Sequence, residues 1–202
     1  MARDLDIGFP TIMGIPAHTA DIDAHMVDIL QTQALENFLW PFGAESGGYG
    51  SITADNLYVG HFVVSRPMTI SKLIIQTQAD DAGKEVRLGI YKDNGSCYPS
   101  DLIVDSGAIS VATAGIKSTA VVATLTKGLH WLALIGNSNT SIYRYKYYWS
   151  PIGIYESGLD NYWYGGYKKT GVTYGALPST FPSGASKERY HWNIAYELSA
   201  LD

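Results

Sequence analysis

The sequence has one cysteine, few charges and no long apolar run, and each shortage closes off a class of protein. A lone thiol, Cys97, can build neither an intrachain disulfide framework nor a cysteine-rich zinc site, so the fold must stand on packing. Cys97 sits between Ser96 and Tyr98 in a turn-like stretch with no histidine near in sequence, which favours a spectator thiol over a nucleophile. Charged residues are only 16% of the 202, so Gly, Ser, Thr, Asn and tyrosine hydroxyls must cover much of the surface. Basic residues number 14 against 19 acidic, for a net charge of -5 and a pI near 5.4. Phosphate recognition needs clustered Lys and Arg, and the one local excess, Lys168-Lys169, is isolated among aromatics and glycines, so no nucleic-acid partner is expected. No run approaches the roughly 20 apolar residues that span a bilayer, and no membrane insertion is expected. Met-Ala-Arg-Asp-Leu-Asp places charges where a signal peptide needs an apolar run, so export by a cleaved signal is not expected either.

Catalytic signatures are missing in the same way. The five histidines, His18, His25, His61, His130 and His191, form no His-x-His or His-Glu-x-x-His pattern, and no metal or cofactor is expected. Asp21-Ile22-Asp23-Ala24-His25 reads as a capped helix start. Asp93-Asn94-Gly95-Ser96 lacks the alternating ligands and distal Glu of a calcium loop and reads as a hairpin turn. Asp80-Asp81 could join a calcium site only with carbonyls from elsewhere. A Gly-x-Ser-x-Gly elbow is absent. Glycan hydrolysis needs two carboxylates across a cleft, and Glu156, Asp160 and Glu188 lie in or near an aromatic stretch with nothing to pair them. No catalytic residue is assigned, and the chain is read as a binding protein and not an enzyme.

What is present divides into three pieces. In residues 1–50, Thr19 to Trp40 is the good helix candidate: Ile22, Met26, Ile29, Leu30, Leu35, Phe38 and Leu39 approximate a 3.6-residue period, with Thr19 or Asp21 as N-cap and Pro41 and Gly43 as terminators. A single amphipathic helix cannot bury its own stripe, so it must pack on the rest of the chain or, as we expect, on another subunit. Ala44 to Gly50 reads as a linker.

From Ser51 onward, short runs rich in Val, Ile, Thr and Tyr alternate with turn residues, the pattern of an all-β antiparallel sandwich of jelly-roll type over residues 51–202. Strands are expected near Leu57–Val64, Met68–Gln76, Glu85–Lys92, Leu102–Ser110, Ser118–Leu125, Gly128–Ile135, Tyr143–Trp149 and Asn193–Leu198. Turns are expected at Ala79–Gly83 and Lys92–Gly95. His130 to Ile135 is mostly apolar and should be central, covered on both faces. Arg87 to Lys92 alternates, with Leu88 and Ile90 on one side, and should have one wet face.

The ordered series Asn56-Leu57-Tyr58-Val59-Gly60 with Phe62-Val63-Val64, Met68-Thr69-Ile70 with Leu73-Ile74-Ile75, and Val86-Arg87-Leu88-Gly89-Ile90-Tyr91 with Asp93-Asn94-Gly95 opens a longer match. It continues through Pro99-Ser100-Asp101-Leu102-Ile103 with Asp105-Ser106-Gly107, then Leu125 to Ala133, and ends on Leu177 to Ala185. In this order the motifs resemble the C-terminal β-sandwich module of bacteriophage tail fibres and other virion appendages. The resemblance implies a virion component made in the host cytoplasm. It also implies a homotrimer, with an N-terminal part docked to other virion proteins and a sandwich facing the host. Residues 1–50 lie outside it, and it names no catalytic residues.

The third piece, Tyr143 to Tyr174, holds eleven of the chain's aromatic rings among glycines that interrupt regular structure. Sugar C–H faces stack on such rings while hydroxyls bond to Asn, Asp and Tyr OH, and rigid aromatics lose little entropy on binding. Trp149, Tyr155, Asn161, Tyr162, Trp163, Tyr164 and Tyr167 are therefore the candidate contacts for a host-surface polysaccharide. The plainer alternative is that such rings fill a core or a subunit seam, Trp131 and Trp192 above all. Three functions remain: a glycan-binding fibre or spike, a capsid or tail decoration protein, and a glycan depolymerase.

Overall fold

The computed structural model describes residues 46–78, 82–146 and 164–201. Within them the regular elements are strands: β1 (Ser46–Ser51), β2 (Asn56–Val64), β3 (Met68–Thr77), β4 (Glu85–Asp93), β5 (Pro99–Ser110), β6 (Gly115–Leu125), β7 (Gly128–Gly136), β8 (Ser141–Lys146), β9 (Gly166–Thr170), β10 (Ser186–Glu188), β11 (Tyr190–Trp192) and β12 (Ala195–Leu201). The helix candidate Thr19–Trp40 and the Asp80-Asp81 pair lie outside the described residues, as do Tyr147 to Trp149 at the end of an expected strand.

All pairings are antiparallel, and they make two sheets. In the first, β3 is flanked by β6 and β12 and β8 by β1 and β11, the two groups meeting where Thr77 pairs with Ile142. The second runs β10-β9-β2-β7-β4-β5. A strand alternates its side chains between faces, so residues two apart share a face. Tyr58, Phe62 and Val64 of β2, Leu88 and Ile90 of β4 and Leu132 and Leu134 of β7 therefore meet Leu73 and Ile75 of β3, Ile142 of β8 and Trp192 of β11 in one buried cluster between the sheets. Full burial of each such aliphatic chain contributes roughly 1.5–3 kcal/mol, and this shared core makes the pair of sheets a sandwich.

The other face of the second sheet is covered too. Leu57, Val59, Tyr91, Trp131, Ala133 and Ile135 form a second cluster with Leu177 and Phe181, which belong to the stretch between β9 and β10. β7 is thus buried on both faces, as its apolar run implies. β4 departs from expectation: Arg87 to Lys92 does not keep one wet face, because Gly89 and Tyr91 lie beneath Leu177 and Phe181. The cover is fixed through its backbone. The Leu177 amide donates to Asp105 Oδ2 at 2.8 Å, the Tyr91 and Tyr98 hydroxyls donate to the Pro178 and Pro182 carbonyls at 2.9 Å each, and the Leu102 and Phe181 amides bond to Ser179 O and Ser100 O. Gly89 is required there, since a Cβ would collide with the Leu177 side chain and the Val104 carbonyl.

The glycine-rich stretch read as a linker is also different. Ser46 to Ser51 pairs along β8, from Ser46 opposite Lys146 to Ser51 opposite Ser141. The Asp93–Tyr98 connection is the turn its residues imply: the Asp93 and Asn94 carboxylate and amide oxygens accept from the Gly95 and Ser96 amides, with Gly95 at φ 87° and Cys97 at φ 56°.

Candidate functional site

The aromatic stretch follows β8 in one sheet and precedes β9 in the other, and the two ends that flank it come to one corner. Lys146 pairs with Tyr190 and Gly166 with Glu188, so residues 188–190 hold both. The Gly165 amide also donates to Glu188 O, and Gly165 O accepts from the His61 amide and from His61 Nδ1–H.

Cations and rings alternate at this corner. On β8, Arg144 pairs with Gly48 of β1 on one side and Trp192 of β11 on the other. Its guanidinium carbon lies 3.5 Å from the centre of the Tyr190 ring and 5.4 Å from that of Trp192. Arg144 also fills the space a Cβ on Gly50 would need, so the bare Gly50 is what lets the side chain lie there. Lys187 Nζ stands 5.6 Å from the centre of the half-buried Tyr164 ring. Tyr49 and Tyr143, opposite each other on β1 and β8, meet edge to face at 5.2 Å.

The polar interior beside the corner is unusual. Asn193 is 1% exposed, and among the described residues neither its side-chain nitrogen nor its side-chain oxygen has a hydrogen-bond partner, nor does the buried Trp192 indole nitrogen. His61 and His191 meet at 6.0 Å, and His191 Nε2–H donates to the His61 carbonyl at 3.2 Å, since a carbonyl can only accept. Burial pushes His61 down to about 4, partly opposed by its bond to Gly165, and burial plus the neighbouring His61 pushes His191 down to about 3. Both rings are therefore neutral at pH 7.

Of the candidate contacts, Tyr164 and Tyr167 are described. Both are half-buried and pack against the second cluster. Tyr167 is tied to the scaffold: its hydroxyl donates to Cys97 O at 3.0 Å and its ring packs against Tyr98 and Trp131. Trp149, Tyr155, Asn161, Tyr162 and Trp163 lie outside the described residues, as do Glu156 and Asp160. Trp131 and Trp192 are core residues at 0% and 5% exposure. Glu188 is buried, with Oε1 accepting from the Tyr190 amide and Oε2 3.6 Å from Lys168 Nζ, so it braces the corner. No group of three His, Cys, Asp or Glu side chains placed to hold a metal occurs among the described residues.

Sequence reasoning passed over Arg144, Lys187 and Tyr190. Lys187-Glu188-Arg189-Tyr190-His191-Trp192 does carry a signal, alternating charged with aromatic residues, but only strand pairing brings it against β8. No family model matches the chain, and no curated protein matches it.

Proposed function

We propose that this chain is a non-enzymatic virion structural protein, a tail or head fibre or spike subunit, whose jelly-roll-like sandwich binds a host-surface glycan at the corner formed by Tyr164, Tyr190 and Arg144. The observation that carries this reading is the convergence of both roots of the aromatic stretch on residues 188–190, beside rings already lined with cations. A shallow sugar site uses rigid rings for stacking and a few polar groups for orientation. Weak single sites suit a particle carrying several copies, because linked copies raise the effective concentration. In this reading the chain is a homotrimer, and residues 1–50 dock it to other virion proteins.

The test is binding of the full chain to immobilised envelope polysaccharide, with Tyr190→Ala and Tyr164→Ala compared. Loss of a stacking ring should weaken retention by roughly 10-fold, the equivalent of about 1.4 kcal/mol. A chain that is retained on no envelope polysaccharide, even as a trimer, overturns the reading. The commitment of Tyr167 to the scaffold favours one competitor, a capsid or tail decoration protein whose rings serve packing alone. Incorporation into particles without any glycan retention would identify that protein instead.

A further inference from the structure

Resting on the glycan-binding reading, we infer that the corner selects an acidic glycan, and that Arg144 is the residue that holds its carboxylate or sulfate oxygens. The Arg144 guanidinium contacts two rings, yet none of the described residues offers it a carboxylate or a hydrogen-bond acceptor. Elsewhere among the described residues ion pairs engage their cations: Lys72 bonds Glu197, Arg87 bonds Asp105 through two parallel bonds, and Lys168 lies beside Glu188.

Stacking also solves the geometric problem of anion recognition. A planar guanidinium laid over the Tyr190 ring keeps its face satisfied, while its N–H edge stays directed in the plane and matches the two oxygens of a carboxylate or sulfate. Gly50 leaves the room this placement needs, because a Cβ there would displace the arginine. The side chain is therefore set in place before a ligand arrives, which reduces the entropy lost on binding.

The surroundings agree in sign. Lys187, beside Tyr164, adds a second cation to this corner against the negative whole. The carboxylate the corner does contribute, Glu188, is turned inward to Lys168 and the Tyr190 amide. Field from a local cation group on a neutral-to-acidic surface steers a polyanion to that spot and makes the association salt-dependent. A strand of sugar acids could then stack on Tyr164 and Tyr190 while an acid group meets Arg144.

The experiment measures affinity of the full chain for three immobilised polysaccharides: a polyuronate, a sulfated glycan and a neutral glucan. Wild type should bind one or both acidic polymers and lose affinity as salt rises, and preference between the two identifies the oxyanion. Arg144→Gln should weaken acidic binding roughly 10- to 100-fold, and Arg144→Lys, which keeps charge without the planar fork, should recover little of it. A measurement on wild type guards against misfolded variants: the Arg144 Nε–H resonance should shift on titration with the acidic polymer. Binding to the neutral glucan alone, or acidic binding unchanged in Arg144→Gln with a silent Arg144 resonance, overturns the inference and leaves the glycan-binding reading standing. Binding to none of the three overturns both.

Discussion

Buried histidines are the residues whose environment most clearly sets a measurable property. His61 and His191 are held neutral by burial, with folded values of about 4 and about 3 against 6.5 in an unfolded chain. His130, beneath Phe62, is lowered in the same direction and for the same first cause. Each folded value lies below the unfolded one, so as pH falls the unfolded chain takes up protons first. Stability is full above about pH 6.5 and is lost progressively as pH falls from there towards 4. Urea midpoints measured from pH 7.5 down to 4.5 should therefore decline, and His61→Gln should flatten the decline even where it lowers stability at pH 7. A midpoint that does not change over that range in wild type would contradict the neutral, buried assignment.

Among elements, the segment between β9 and β10 does the work that a third layer would do. It has almost no strand of its own, yet it lays Leu177 and Phe181 on the outer face of the second sheet. Asp105 is its fastener. Burial works to raise this carboxyl's pKa, but bonds from Arg87 and from the Leu177 and Gly107 amides, with the Arg87 charge, outweigh it and hold the group below its usual range. Asp105→Ala removes all of these and leaves Arg87 half-buried without its partner. A loss of about 2 kcal/mol is expected in chemical unfolding. Amide exchange at Leu177 and proteolysis within 172–185 should rise by more than in the two sheets, and uniform loosening would show that the cover is not separately fastened.

Other elements show why some structure could be read in advance and some could not. The strands from Leu57 to Ile135 follow from alternation, a local pattern, and the structure moves their ends by three residues at most. β1 was hidden because Ser-Gly-Gly-Tyr-Gly-Ser has the composition of a linker; Gly50 makes sense only once the Arg144 side chain occupies the space beside it. β4 looked half-wet because alternation reports the spacing of apolar residues in one strand and cannot report a cover supplied some 85 residues later. The short strands β9, β10 and β11 carry too few residues for any period to show.

For the whole molecule, assembly is the open physical quantity. The sandwich leaves Ile116 and Val122 of edge strand β6 exposed at 67% and 83%, and Val63 at 50%. Exposed apolar side chains on an edge strand invite pairing with another chain. Together with the proposed fibre role this leads to a definite outcome: equilibrium sedimentation of the full chain should give three times the 22.0 kDa protomer. Removing residues 1–45 should return a smaller species if that segment holds the subunits together, whereas a trimer that persists would move the contact onto the sandwich. A monomer at all concentrations would remove the assembly part of the proposal.

By itself the sequence determined the all-β class, most of the strands and the burial of the His130 to Ile135 run, because alternation and β-branched composition are local consequences of a pleated, half-buried chain. Only the tertiary structure decided that a glycine-rich stretch is a strand, that the second sheet is covered on both faces, and that Arg144 meets Tyr190 rather than a carboxylate. Those outcomes depend on which strands become neighbours across 44 residues or more, and no local period encodes that choice.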